Sequence, residues 1–290
     1  MDINNWLKEN TESLKGKTVA ITGATGDLGK AICKHLAFLG ADLIFLDRNR
    51  IKSEKAGKDL LRIFPQTSIK YITVDLSDFD SVKKTNETLD KTDVDILILN
   101  SGVYNVPRAK CATGFDNIFQ VNFVSQYYLS YRISLKTNKK NLKIVAVSSI
   151  AHFLANIKSN DIERLNCKNR EIIYGNSKKI LTYALFDLAE RMPEVDLCIT
   201  HPGITYTNMM TNYSQWFSRL IKYPMKKIFM SPSKASLSVI KGIFTKSGPN
   251  KWVGPKYLSV WGLPKISEIK KLSKSEYKSI KEITYKIENL

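Results

Sequence analysis

Short runs of β-branched and aliphatic residues alternate with longer segments of helical periodicity along much of the chain. The short runs predict buried strands at residues 17–22, 41–46, 69–74, 95–99 and 142–147. Strands that alternate with helices build a parallel sheet through right-handed crossovers. The pattern therefore predicts a single α/β domain, doubly wound, with a parallel sheet of about seven strands and helices on both faces.

A glycine-rich turn follows the first predicted strand and precedes a predicted helix at residues 31–39. Its glycines let the backbone turn tightly, approach a pyrophosphate and pack the helix on the strand, while the helix N-terminus offers free N–H groups to an anion. This is the arrangement of a Rossmann-type dinucleotide-binding domain. The candidate cofactor-binding residues of the turn are Gly23, Thr25, Gly26, Asp27, Leu28 and Gly29.

The second strand ends in two residues that favour different dinucleotides. Asp47 can accept hydrogen bonds from a ribose 2′-hydroxyl and would repel a 2′-phosphate, which favours NAD. Arg48 could hold that phosphate with its planar guanidinium, which keeps NADP open. The cofactor is therefore expected to be NAD or NADP, with a slight preference for NAD.

Polar and small residues also follow the third and fourth strands. Because ligands of open α/β sheets lie outside the carboxyl ends of the strands, these residues are candidates for the adenine and ribose side of the pocket. They are Asp75, Leu76, Asn100, Ser101 and Gly102.

A tyrosine and a lysine four residues apart, Tyr174 and Lys178, share one face of a predicted helix. An ammonium beside a phenol favours the phenolate, so we expect Lys178 to lower the pKa of Tyr174 toward the range in which it exchanges a proton near neutral pH. Ser148 and Ser149 follow the strand at residues 142–147 and supply a hydroxyl donor at a suitable place. Together these residues predict a proton-transfer site.

In their order and spacing, these motifs resemble the short-chain dehydrogenase/reductase family, and most of all its retinol-dehydrogenase-like branch. The resemblance extends from about Lys17 to at least Thr207. Two features depart from the family pattern: Asp27 stands where short-form members place a glycine, and Asp47 precedes Arg48. The motifs are Thr22-Gly23, Asp75-Leu76, Asn100-Ser101-Gly102, Val121-Asn122, Ser148-Ser149, Tyr174 with Lys178, and His201-Pro202-Gly203 with Thr207.

The resemblance implies a role for each candidate catalytic residue. Tyr174 would exchange a proton with the substrate oxygen as a hydride moves to or from the nicotinamide, and Lys178 would hold the nicotinamide ribose. Ser149 would stabilise the developing oxyanion. Asn122 would bind a water that links Lys178 to solvent. Further cofactor contacts are implied for Pro202, Gly203, Ile204 and Thr207.

Length and composition are consistent with one large domain, since 290 residues with 43% hydrophobic side chains can bury a substantial core. Residues 1–16 are expected to form an N-terminal helical extension. Residues 17–265 form the dinucleotide-binding domain, including a lid at about residues 205–230, and residues 266–290 form a basic helical extension.

The four cysteines are scattered without a C-x-x-C spacing, and the three histidines are dispersed. This distribution favours a reducing compartment and predicts no metal site. There is no run of 18 apolar residues and no secretory signal at the N-terminus. The expected location is cytoplasmic, with peripheral membrane association left open.

The net charge of +18 is concentrated toward the C-terminus, where residues 205–290 hold 16 Lys and Arg against 4 Glu. Because these cations are nearly all lysines without an aromatic-interleaved motif, nucleic-acid binding is not expected. Residues 214–230 mix large apolar side chains with Lys and Arg, so they could cover the substrate or contact a membrane.

The sequence thus predicts an NAD(P)-dependent oxidoreductase that interconverts an alcohol and its carbonyl, on an apolar small molecule and as a homo-oligomer. Two alternatives stay open. The glycine spacing suggests an extended, epimerase- or dehydratase-like enzyme of sugar nucleotides. The second alternative is a dinucleotide-binding regulator without turnover.

Overall fold

The computed structural model describes residues 2–135, 142–205, 229–246, 248 and 250–290. Across these ranges one sheet has the strand order β3-β2-β1-β4-β5-β6-β7-β8, and neighbouring strands from β3 to β7 are parallel. The strands are β1 (Thr18–Thr22), β2 (Asp42–Asp47), β3 (Ile69–Thr73), β4 (Ile96–Leu99), β5 (Leu142–Val147), β6 (Val195–Thr200), β7 (Lys251–Tyr257) and β8 (Trp261–Glu268).

Helices connect successive strands, as the alternating pattern predicts. A π-helical turn, Gln120–Val124, separates α5 from α6, and 3₁₀ turns at Ile150–Leu154 and Ser159–Asp161 follow β5. The helices are α1 (Ile3–Asn10), α2 (Asp27–Phe38), α3 (Arg50–Leu61), α4 (Phe79–Asp90), α5 (Asn117–Phe119), α6 (Ser125–Ser134), α7 (Arg170–Arg191), α8 (Pro232–Ala235), α9 (Leu237–Ile243) and α10 (Lys274–Glu288).

Both faces of the sheet are covered by helices. Alternate residues of a strand point to opposite faces, and in β1 Ala20 packs in one apolar cluster while Val19 and Ile21 pack in the other. The first cluster contains side chains of α4, α6, α7 and α10, and the second contains side chains of α1, α2, α3 and α9. The prediction of a doubly wound α/β domain is therefore confirmed.

The sheet has one more strand than the seven expected. β8 pairs antiparallel with β7 and forms the edge of the sheet. Its sequence did not predict a strand, because Gly262 and Pro264 are both unfavourable inside strands and Pro264 lacks an N–H. The predicted boundary between residues 265 and 266 falls inside this strand, so the helical extension begins only at Lys274.

The C-terminal helix α10 packs against α6 and α7. Ser273 caps it, and Ser273 and Glu276 form a reciprocal capping box. Its buried face, with Ile280, Ile283 and Ile287, lies in the same apolar cluster as α6 and α7. Among the helices described, none has the length and apolar character needed to cross a bilayer.

Candidate active site

The tyrosine predicted to transfer the proton lies in the second turn of α7, which Asn169 caps. Tyr174 is half-buried, and the Ser149 hydroxyl, from the loop after β5, is near enough to its phenol to favour the ionised form. The ring of Tyr104 packs edge-on against it, with 5.4 Å between ring centroids. The structure thus brings the predicted tyrosine and serine together, although they are 25 positions apart.

Lys178 lies one turn further along α7 and is buried, with 2% of its surface exposed. Its Nζ donates to the carbonyl oxygens of Val147 (3.0 Å) and Ser101 (3.4 Å), at the ends of β5 and β4. A Cβ atom on Gly102 would lie 3.3 Å from the same Nζ, so glycine leaves room beside the ammonium. Burial lowers the pKa of Lys178 to about 8.

The pKa of Tyr174 differs from the expectation. Burial raises it to about 12, opposed by the hydrogen bond from Ser149, whereas we expected the neighbouring ammonium to lower it. The reason is geometric, because Lys178 Nζ is directed at the carbonyl oxygens of Val147 and Ser101. The phenol is therefore protonated near neutral pH in the protein alone.

The two serines after β5 have separate tasks. Ser148 is buried and its hydroxyl lies 2.8 Å from that of Thr182 on α7, which indicates a structural role. Ser149 begins the 3₁₀ turn, where its hydroxyl also accepts a hydrogen bond from the Ala151 N–H (3.2 Å). α7 approaches this turn closely at Gly175, where a Cβ would lie only 2.1 Å from the Ala151 carbonyl oxygen.

Asn122 is buried in the π-helical turn between α5 and α6. Its side-chain amide accepts from the Val103 N–H and donates to the Val103 carbonyl, both at 2.8 Å, and it also donates to the Ser177 hydroxyl at 3.0 Å. The side chain therefore ties the loop after β4 to α7. The predicted water between Asn122 and Lys178 stays a prediction.

Sequence reasoning missed three residues of this network: Tyr104, Gln126 and Ser177. Gln126 Nε2 donates to the carbonyl oxygens of Ser101 (2.9 Å) and Asn122 (3.2 Å). The Ser101 carbonyl oxygen also accepts from Lys178 Nζ. Nothing in the local sequence marks these residues, because each acts through a contact that only the folded chain creates.

The glycine turn between β1 and α2 has the shape expected of a phosphate cradle. Gly23 has a φ of +71°, and a Cβ on Gly29 would lie 2.0 Å from the Gly23 carbonyl oxygen, so neither position accepts a side chain. Asn100 braces the turn by donating to the carbonyl oxygens of Thr22 (3.1 Å) and Gly23 (3.0 Å). No side chain caps α2 at Gly26, which suits an anion at this helix end.

Asp47 and Arg48 differ sharply in their surroundings. The Asp47 carboxylate is 6% exposed and accepts hydrogen bonds from the hydroxyls of Thr25 and Ser53, both at 3.1 Å. Burial raises the pKa of Asp47, although these hydrogen bonds oppose the shift. Arg48, by contrast, is exposed. Asp47 thus holds the glycine turn against α3, whereas the guanidinium of Arg48 is available to a ligand.

The sequence profile of the short chain dehydrogenases matches residues 17–218. This range spans the glycine turn, Ser149, Tyr174 and Lys178, whose placement is described above. The chain belongs to the short-chain dehydrogenase family.

Individual members of the family are similar to this chain at moderate identity. Human retinol dehydrogenase 12 is 28% identical over 258 residues, which cover 84% of this chain and 81% of that protein. The WW domain-containing oxidoreductase of Drosophila melanogaster is 28% identical over 226 residues. The match covers 72% of this chain but about half of the fly protein, 54%.

The fold also matches solved members of the family. A short-chain dehydrogenase from Sphingobium yanoikuyae, solved in complex with NADPH, has a TM-score of 0.62 and is 18% identical. The match covers 78% of this chain and 83% of that protein. The resemblance to the short-chain dehydrogenase/reductases and their retinol-dehydrogenase-like branch is confirmed.

The loop after β3 also carries predicted cofactor residues. Asp75 accepts hydrogen bonds from the Ser77 N–H (2.9 Å) and hydroxyl (2.6 Å), as a turn residue does. Leu76 is buried, and its carbonyl oxygen accepts from the Ser125 hydroxyl. Their predicted contacts with the dinucleotide stay predictions.

The loop after β6 is fixed by the β7–β8 hairpin. Gly203, which follows Pro202, has a φ of +82°, and the Ile204 N–H donates to the Val260 carbonyl at 3.2 Å. Thr207 lies outside the described residues, as does most of the predicted lid at residues 205–230.

Proposed function

We propose that this chain is an NAD(P)-dependent oxidoreductase that interconverts an alcohol and its carbonyl. The observation that carries the proposal is the placement of the Ser149 hydroxyl beside the Tyr174 phenol, where it favours the ionised form, with the ammonium of Lys178 beside Gly102 at the same edge of the sheet. When bound, the dinucleotide supplies or accepts the hydride. The chain's own side chains supply the proton and stabilise the charge.

Reduction of a carbonyl leaves an oxyanion that needs a proton. Tyr174, whose pKa is about 12, is protonated near neutral pH and can give that proton from its phenol oxygen. Ser149 would donate a hydrogen bond to the oxyanion of the substrate and stabilise its charge. The ammonium of Lys178, which donates to two carbonyl oxygens, would hold the nicotinamide ribose.

The residues present fit a dinucleotide. The cradle of Gly23, Gly26 and Gly29 would receive the pyrophosphate at the uncapped N-terminus of α2. Asn100 offers a buried Oδ1 without a hydrogen-bond partner in the described part of the chain. Gly102 leaves space beside Lys178, which would hold the nicotinamide ribose.

Between the two dinucleotides, we favour NADP over the slight preference for NAD that the sequence suggested. The Asp47 carboxylate already accepts hydrogen bonds from Thr25 and Ser53 and is nearly buried, so it is poorly placed to read a ribose hydroxyl. The exposed guanidinium of Arg48 at the same strand end suits a 2′-phosphate.

An apolar substrate is supported by the residues that follow Ser149. Phe153 and Leu154 are 56% and 62% exposed, which leaves apolar surface next to the catalytic serine. Homo-oligomer formation, a cytoplasmic location and membrane contact through residues 214–230 stay predictions, and the last segment lies mostly outside the described residues.

The proposal is tested with Tyr174→Phe, assayed with a panel of alcohols and ketones under both dinucleotides. We expect turnover to fall at least about a thousandfold while dinucleotide affinity changes little, because only the proton donor is removed. Tyr285→Phe is the matched control, since Tyr285 is 72% exposed on α10. Turnover of Tyr174→Phe equal to that of the control would reject the assignment.

A further inference from the structure

The tip of the β7–β8 hairpin carries a cluster of exposed apolar side chains. Five of the thirteen strongly exposed large apolar side chains in the described ranges lie within residues 257–266. Such clusters mark contact sites more often than scattered single residues do. We call this cluster the hairpin patch: Tyr257 (57% exposed), Leu258 (93%), Trp261 (45%), Leu263 (37%) and Ile266 (44%).

The turn at the tip is unusual for the residues that form it. The Val260 N–H donates to the Tyr257 carbonyl at 2.9 Å, and the two central residues, Leu258 and Ser259, have φ values of +50° and +57°. This is the geometry of a type I′ turn, in which Asn and Gly are preferred. A leucine there is strained as well as exposed, so neither folding nor hydration explains its presence.

Lysines surround the hairpin patch. Lys234 Nζ lies 3.9 Å from the ring centroid of Trp261, and Lys256 Nζ lies 5.6 Å from that of Tyr257. Residues 251–268 contain three lysines and one acidic residue, Glu268. Apolar and aromatic side chains ringed by lysines are the composition of surfaces that enter the interface of an anionic bilayer.

The patch lies beside the proposed active site. Because β7 runs parallel to β6, its end at Tyr257 is at the sheet edge that carries Ser149 and the glycine turn. The turn is bonded to the loop after β6: His201 Nε2 lies 2.7 Å from the Ser259 carbonyl oxygen, and Ile204 donates to Val260. A surface bound at the tip would therefore lie close to the loops that carry the proposed active site.

From these observations we propose that the β7–β8 hairpin docks this protein on anionic lipid membranes, with Leu258 and Trp261 inserted among the lipids and the lysines on the headgroups. A second copy of the chain is a poorer occupant of the patch. It would bring the same lysines against these ones, and Pro264 and Lys265 make β8 a poor edge for strand pairing.

The first test is co-sedimentation of the full chain with phosphatidylcholine vesicles that contain about 30 mol% phosphatidylserine or none. We expect binding to the anionic vesicles, weaker binding to the neutral ones, and a loss of binding as salt is raised. Absence of binding at low salt, or equal binding to both vesicles, overturns the proposal. No dinucleotide or substrate is present, so the result is independent of the redox assignment.

The second test separates membrane insertion from folding. Leu258→Asn introduces a residue that tolerates the turn geometry better than leucine does. We therefore expect an unchanged or higher melting temperature together with about tenfold weaker binding to anionic vesicles. Ile51→Asn on α3, where Ile51 is 79% exposed, is the matched control and should bind like the unmodified protein. Equal binding by Leu258→Asn and the control would assign the membrane contact elsewhere and overturn the proposal.

The third test concerns the charges. We expect Lys256→Glu combined with Lys265→Glu to weaken binding at least about tenfold. Lys55→Glu with Lys58→Glu, on α3, changes the net charge equally and should have a much smaller effect. If the hairpin variants alter the molar mass in solution but not vesicle binding, the patch is an interface between copies and the lipid proposal is wrong.

Discussion

Lys179 Nζ lies 3.0 Å from Glu276 Oε1, which joins the residue after Lys178 to the C-terminal helix. The same oxygen accepts from the Ile157 N–H at 3.2 Å, in the loop that follows Ser149, and Glu276 Oε2 accepts from Ser273. One carboxylate therefore holds together α7, the loop after β5 and the start of α10. The segments that carry Ser149 and Tyr174 are both anchored to it.

Removal of the Glu276 charge should destabilise the protein. In Glu276→Gln the ammonium of Lys179, 12% exposed, loses its partner, and we expect a loss of about 2 kcal/mol in the free energy of unfolding. Glu282→Gln is the control, because Glu282 is 63% exposed and lies 3.8 Å from Lys278. Urea unfolding measures both, and equal stabilities would show that this ion pair contributes nothing.

The same pair predicts a pH dependence. Hydrogen bonds from Lys179, Ser273 and Ile157 lower the pKa of Glu276 to about 2, from an ordinary value of 4.5. A carboxyl with a lowered pKa stabilises the fold above its unfolded pKa, and this contribution disappears as the pH falls toward the folded value. The stability difference between the unmodified protein and Glu276→Gln should thus be constant above about pH 5 and shrink between about pH 4.5 and pH 2. A difference that does not change with pH over this range would contradict the assignment.

Burial of the Lys178 ammonium should lower the free energy of unfolding near neutral pH. Burial lowers its pKa from 10.5 to about 8, so the folded state binds the proton less tightly than the unfolded state. Below pH 8 the cost of burying the ammonium is fully present, and it fades as the pH rises to 10.5. The stability advantage of Lys178→Met over the unmodified protein should therefore fall by about 3 kcal/mol between pH 7 and about pH 10.5.

Denaturant unfolding at a series of pH values checks this effect. Lys55→Met, at an exposed site on α3, is the control and should give a difference that is flat with pH. Activity of Lys178→Met should be lost at every pH, because the ammonium proposed to hold the nicotinamide ribose is absent. A flat difference for Lys178→Met would mean that this lysine is not buried as the structure has it.

Substitution of Arg48 and substitution of Asp47 should affect dinucleotide binding differently. We expect Arg48→Ala to weaken NADPH binding at least about tenfold and to leave NADH binding unchanged, because it removes a phosphate ligand. Asp47→Asn should weaken both dinucleotides alike and lower stability by about 1–2 kcal/mol, because it disturbs the bonds to Thr25 and Ser53. Fluorescence titration measures the affinities, with Arg62→Ala as the exposed control. A changed NADH/NADPH ratio in Asp47→Asn would return the ribose contact to Asp47.

The features that sequence predicts well are those encoded by local spacing. The turn at Gly23, Gly26 and Gly29 depends on a few neighbouring positions and lies between β1 and α2 as expected. Tyr174 and Lys178 share α7 as their spacing predicts, but the ammonium is directed at two carbonyl oxygens and not at the phenol. The partners that tie Asp47, Asn122 and Glu276 to other segments are 6 to 119 positions away, so no local pattern shows whether such a side chain faces a ligand or the protein itself. β8 was missed for a related reason, since its strand pairing with β7 outweighs the poor propensities of Gly262 and Pro264.

Gly175 should be as important to activity as a residue that performs chemistry. A Cβ at this position would lie 2.1 Å from the Ala151 carbonyl oxygen and 2.8 Å from its carbon, which are backbone atoms that cannot turn away. Gly175→Ala should separate α7 from the turn after Ser149, move the Ser149 hydroxyl away from the Tyr174 phenol and lower kcat at least about tenfold.

Gly57→Ala on α3 is the matched control for Gly175→Ala. There the added Cβ meets the far end of the Tyr71 side chain, at 2.0 Å from its hydroxyl oxygen, and that ring can move aside. We expect Gly57→Ala to keep its kcat, because α3 does not carry Ser149 or Tyr174. If Gly175→Ala also keeps its kcat at a temperature where it is folded, the close approach of α7 to Ala151 does not position the proton donor, and Ser149 must reach Tyr174 by another arrangement of the loop.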